Sequence, residues 1–108
     1  MWRGHWLRWR RGSVVLLDCA TLWLTNVMLG GGDVSAEAAA LVAALRASAA
    51  PVVVVTNEVG LSIVPDNALA RAFRDAQGRL NQRLATEAGL VVAVWAGLPL
   101  VLKGPSPW

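Results

Sequence analysis

Cysteine occurs once in this chain, at Cys19. A single thiol excludes an internal disulfide and any metal site built from several cysteines, and it fits a reducing compartment. Charge is also scarce. Only 16% of the residues are charged, against a usual quarter or so, yet the chain is far too apolar for a disordered segment. Long unbroken hydrophobic runs are missing as well. The best candidate for a membrane span, residues 88–102, is broken by Gly97 and Pro99 and falls short of the roughly 18 apolar residues a span needs. The arginines near the start precede only SVVLL, too short for a signal-peptide core, and Asp18 ends it. LLDC is a poor lipoprotein box, because an aspartate precedes the cysteine. These absences predict a soluble, cytoplasmic protein without a membrane partner.

What is present is a compact set of apolar strings. Hydrophobic residues make up 56% of the 108 positions, above the usual 45–50%. The length suits one domain, and the surplus predicts strands buried on both faces. The formal charge of +3 comes from the start of the chain. Arg3, Arg8, Arg10 and Arg11 sit in a tryptophan-rich arm, and from Gly12 onward six basic side chains face seven acidic ones, a net of −1. The sequence therefore divides into a leader, residues 1–12, and a body, residues 13–108. Arginine and tryptophan suit phosphate contacts and base stacking, but the arm is short and the body has no nucleic-acid signature. His5, the lone histidine, receives no role.

The body alternates strand and helix patterns. SVVLLDC, residues 13–19, reads as a buried strand. TLWLTNVML follows as a short helix that Thr21 could cap, and GGGD, residues 30–33, as a flexible break. An alanine-rich helix is expected over Ser35–Ser48, capped by Asp33 or Ser35. Pro51 opens the strand PVVVVT. The clearest helix runs from Asn67 to about Ala88, with Asp66 at its N-cap position. Leu69, Phe73, Ala76, Leu80 and Leu84 form its apolar stripe, and Arg71, Asp75, Arg79 and Gln82 the opposite, solvated face. Gly78 lowers its propensity by about 1 kcal/mol and suggests close packing or a local function. LVVAVW, residues 90–95, reads as a third buried strand, AGLP as a turn and LVLK, residues 100–103, as an edge strand. Alternating elements with apolar strands predict an α/β fold, a mainly parallel sheet flanked by helices.

In such sheets ligands bind outside the carboxyl ends of the strands. Two strands end there in polar groups, SVVLL in Asp18 and VVVVT in Asn57 and Glu58. Four apolar residues followed by an aspartate have the shape of a Walker B strand, whose carboxylate helps to hold Mg²⁺ at a nucleotide's phosphates. An aspartate there can equally cap the next helix. Glu58 can polarise a water or hydroxyl, or be simply a solvated loop carboxylate. Gly60 permits a sharp turn, and Pro65 fixes the approach to the helix. Cys19 reads as a small packing residue.

The strings VVLLDCATLWLTN, TNEVGLSIVPDNALARAFRDAQGRLNQRLA and GLPLVLKG together resemble one family over about Ser13–Gly104, the bifunctional adenosylcobinamide kinase / adenosylcobinamide-phosphate guanylyltransferases of cobalamin biosynthesis. The resemblance implies a RecA-like P-loop fold, of which this chain is a C-terminal part. It implies phosphorylation of the cobinamide side-chain hydroxyl and then transfer of GMP from GTP, through a guanylated histidine. Mg²⁺ with GTP or ATP as cofactors, adenosylcobinamide as substrate and a homotrimeric assembly are implied in the same way. Asp18 matches the Walker B carboxylate, a metal and nucleotide position. Asn57 and Glu58 match the strand-end pair, Asn57 on the nucleotide and Glu58 catalytic.

The departures are specific. The GxxxxGK[ST] loop, whose amides and lysine cradle phosphates, occurs nowhere in the 108 residues, and Gly30–Gly32 are followed by no Lys-Ser or Lys-Thr. His5 lies too close to Asp18 to match the family histidine. The expectation is an inactive, weakly stable fragment of the enzyme, or a non-catalytic remnant that associates with a full-length copy.

Overall fold

The computed structural model describes residues 12–61 and 63–108. The arm up to Arg11, with His5 and four arginines, lies outside the described residues. The elements run β1 (Val15–Asp18), α1 (Ala20–Leu29), α2 (Val34–Ala47), β2 (Val52–Val55), α3 (Ala68–Glu87), β3 (Val91–Trp95) and β4 (Leu98–Lys103). β1 and β2 pair in parallel, from Val15 opposite Val52 to Asp18 opposite Val55. This is the expected α/β arrangement, a parallel pair flanked by helices, and it is consistent with part of a P-loop NTPase fold.

Period-two alternation decides which side of the pair is covered. Val15, Leu17, Val52 and Val54 turn toward the helices and join one core with Trp23, Leu24, Leu41, Ala76, Leu80 and Leu84. The next residues along each strand face out. Leu16 is 61% exposed, Val53 52% and Val55 41%. Burial on both faces, expected from the apolar runs, is therefore not met, because no described element packs on the second face.

The helices start and stop for local reasons. Asp33 caps α2, its Oδ1 accepting from the Ala36 amide at 3.1 Å. Asn67 caps α3, its Oδ1 accepting from the Ala70 amide at 2.7 Å. The expected cap, Asp66, stands one residue too early. α1 begins after Cys19 without a side-chain cap, so Thr21 is not the cap either. The GGGD stretch closes α1: the amides of Gly30 and Gly32 donate to Asn26 O and Val27 O at 3.0 Å each, with Gly31 at φ 71°. The stripe of α3 holds from Phe73 onward, but Leu69 is 65% exposed. Gly78 faces open space, so close packing does not explain it.

β3 and β4 form a separate antiparallel hairpin. Its two-residue loop, Ala96–Gly97, has positive φ at both positions, 50° and 76°, the geometry that matches strand twist. β3 is not the third buried strand of the parallel sheet: Val94 and Trp95 are 68% and 63% exposed. Lys103 ties the hairpin to α3, its Nζ donating to Ala85 O at 2.9 Å and Thr86 O at 3.1 Å, the last carbonyls of that helix.

Candidate active site

Parallel pairing places the carboxyl ends of β1 and β2 side by side. Asp18 is the last residue of β1 and sits opposite Val55, the last residue of β2. Thr56, Asn57 and Glu58 continue directly from there. The Asp18 side chain is exposed and lines a hollow of about 340 Å³ with Leu17, Cys19, Leu22 and Asn26. The two strand ends singled out in the sequence thus share one edge of the fold.

Hydrogen bonds hold the second strand end from two helices. The first turn of α1 supplies Thr21, whose Oγ1 accepts from the Asn57 amide at 3.1 Å and from Asn57 Nδ2 at 3.2 Å. Asn57 Nδ2 also lies 3.9 Å from Cys19 Sγ. Cys19 is half-buried, so it serves as a contact of Asn57 and not only as core packing. From α3, Asn81 Nδ2 donates to Asn57 O and to Glu58 Oε1, both at 3.0 Å. Asn81 Oδ1 accepts from Thr56 Oγ1 at 2.6 Å and from Gln77 Nε2 at 2.8 Å. Gln77 Nε2 reaches Thr56 Oγ1 at 3.0 Å. Gln77 is completely buried, and its Oε1 accepts no hydrogen bond among the described residues.

Asp18, Asn57 and Glu58 stand at the strand ends as the apolar runs predict, whereas Thr21, Thr56, Gln77 and Asn81 emerge as their supports only in the structure. A signal was present. Gln77 and Asn81 stand four apart on α3, which puts them on one side of the helix, beside the apolar stripe instead of on the solvated face. The loop beyond Glu58 is anchored at its far end, where Arg71 Nη1 donates to Pro65 O at 2.8 Å. Under that end lies an apolar cavity of about 460 Å³, walled by Met28, Leu29, Val59, Pro65, Leu69 and Phe73 among others. Of the other helix charges, Arg74 pairs with its neighbour Asp75 at 3.6 Å, and Arg46 of α2 pairs with Glu87 of α3.

Apart from the Cys19 thiol, the candidate ligand atoms at the strand ends are oxygens. Among the described residues no three acidic, cysteine or histidine side chains converge, but Mg²⁺ needs only one or two carboxylates and keeps waters and phosphates as its other ligands. The exposed Asp18 carboxylate is an oxygen donor of that kind.

A family model described as cobinamide kinase / cobinamide phosphate guanyltransferase matches residues 6–102. The chain belongs to this family. Its relatives include the bifunctional adenosylcobalamin biosynthesis protein CobU of Escherichia coli, 43% identical over 106 residues, which cover 84% of this chain and 59% of the relative. CobU of Salmonella typhimurium is 42% identical with the same coverage. CobP of Pseudomonas aeruginosa is 39% identical over 95 residues, 86% of this chain and 55% of the relative. The chain thus spans less than two thirds of the curated relatives it matches. The cobinamide family match begins at residue 6, inside the arginine- and tryptophan-rich segment. No described helix is long and apolar enough to cross a membrane.

Proposed function

We propose that this chain carries the strand-end part of the active site of a transferase that phosphorylates adenosylcobinamide and transfers GMP from GTP to adenosylcobinamide phosphate. The observation that carries this reading is the parallel register of β1 and β2, which brings Asp18 to the same edge as Asn57 and Glu58 in a chain of the cobinamide kinase family. Asp18 would hold Mg²⁺ beside the phosphates of GTP or ATP, where the ion neutralises charge on the phosphate oxygens when bound. Glu58, with Oε1 tied to Asn81, keeps its other oxygen to orient or deprotonate a hydroxyl. Asn57, fixed through its amide and side chain on Thr21, shapes the nucleotide side of the edge.

These 108 residues contain no GxxxxGK[ST] string and so lack the amide cradle that grips a triphosphate. We therefore expect no GMP transfer from labelled GTP by the purified chain, and clear turnover would overturn that part of the reading. The site reading is tested by grafting. A chimera in which residues 13–104 replace the matching stretch of the Escherichia coli relative should phosphorylate adenosylcobinamide; a folded chimera without either activity speaks against the assignment.

The bare sheet face favours a second reading. Leu16, Val53 and Val55, all exposed, would let a non-catalytic chain associate with a full-length copy of the enzyme. Co-purification of the two, abolished by Leu16→Lys, would support it.

A further inference from the structure

Glu58 lies on an exposed loop, where a glutamate ordinarily samples several rotamers. Its carboxylate is instead the outer end of a hydrogen-bond chain that begins in the core. Asn57 O is a backbone carbonyl and can only accept. A carboxylate likewise only accepts. Both lie 3.0 Å from Asn81 Nδ2, so Asn81 must turn its NH₂ toward them and its Oδ1 inward. That oxygen then needs donors. Thr56 Oγ1 has one hydrogen and gives it at 2.6 Å. The second donor is Gln77 Nε2 at 2.8 Å, whose other hydrogen goes to Thr56 Oγ1 at 3.0 Å. All four hydrogen-bonding positions of the Asn81 amide are filled.

The direction of this chain explains why the buried Gln77 Oε1 accepts no bond among the described residues. Turning the Gln77 amide over would set its oxygen against Asn81 Oδ1. Asn81 would then have to flip too, pointing an oxygen at Asn57 O and Glu58. Two repulsions at the strand end are avoided by one unsatisfied carbonyl in the core. Buried polar groups are rarely left this way, and here the orphan is what keeps the donors pointing outward.

We infer that Asn81, oriented by the buried Gln77, is a positioning residue that fixes the Glu58 carboxylate with Oε1 held and Oε2 open. The inference rests on Glu58 being the ligand-facing carboxylate of the proposed site, because only there does a fixed orientation serve chemistry. If Asn81 merely fastened α3 to β2, its bonds to Thr56 and Asn57 O would suffice, and the Glu58 side chain would move freely.

Nuclear magnetic resonance of the full chain, labelled with ¹³C and ¹⁵N, separates these. The expected result is one dominant Glu58 rotamer and a coupling across the hydrogen bond from Asn81 Nδ2 to Glu58 Cδ. Asn81→Asp keeps the shape but replaces donors with acceptors. It should abolish the coupling and leave Glu58 averaging over rotamers. Gln77→Met, which removes the orphan carbonyl and fills its space, should weaken the same coupling while the backbone signals of α3 stay in place. It also serves where Asn81→Asp does not fold. A Glu58 that already averages in the unsubstituted chain, or one that stays fixed in Asn81→Asp, overturns the inference. Mn²⁺ alone tests the underlying site reading separately. Broadening centred on the strand ends at Asp18 and Glu58 supports that reading. A fixed Glu58 that Mn²⁺ does not touch upholds the positioning and sinks the site.

Discussion

Asn67 and Asp66 are adjacent, and both are favourable helix caps, yet only Asn67 bonds the Ala70 amide. Asn67→Ala should therefore cost about 1 kcal/mol, while Asp66→Ala should change stability little; urea unfolding of the two variants checks this. The sequence offered no way to choose between them, because a shift of one residue changes which side chain reaches the first-turn amides and leaves the residue types alike. A similar limit hid Gln77 and Asn81. Their spacing marks a shared side of α3, but their partner is the end of β2, a contact between positions about 25 apart that local pattern does not contain. Asp18, Asn57 and Glu58 were legible for the opposite reason: each interrupts an apolar run at the point where a strand must end.

Between elements, α2 and α3 are joined by the Arg46–Glu87 pair, with Arg46 Nε 2.8 Å from Glu87 Oε2. The hydrogen bond from Arg46 holds the Glu87 carboxyl below its usual range, partial desolvation opposes this, and the charges of Arg46, Arg83 and Lys103 add to the lowering. A carboxyl with a lowered folded pKa stabilises the fold above its unfolded pKa of about 4.3, and that contribution is lost as pH falls through the folded value. The stability difference between the chain and Glu87→Gln should thus be present at pH 7, small for so exposed a pair, and vanish in acid; urea midpoints across pH measure it. The β3–β4 hairpin makes a second test. Gly104 has φ 87°, and a Cβ there would collide with Gly89 O. Gly104→Ala should destabilise by more than about 1 kcal/mol, seen as a lowered thermal midpoint. The elements themselves were largely readable from apolar runs and periodicity, but of the expected caps only Asp33 is used, and the expected AGLP turn shrinks to Ala96–Gly97 because Leu98 and Pro99 already belong to β4. Which strand face is covered was not, because a run such as VVVV has no polar residue to mark the outside.

At the scale of the molecule, one side of the β1–β2 pair is packed by three helices and the other shows Leu16, Val53 and Val55 to solvent. Exposed contiguous apolar surface promotes association, and an open strand edge adds to it. Leu16→Lys combined with Val53→Thr should reduce self-association in sedimentation measurements without altering the helical circular dichroism. The central claim, that Asp18 and Glu58 work at one ligand-facing edge, is tested most directly by GMP transfer from labelled GTP in the chimera built on the Escherichia coli relative. The account predicts that Asp18→Asn and Glu58→Gln each lower the rate about 100-fold or more with the fold intact. Transfer unaffected by both substitutions would contradict it.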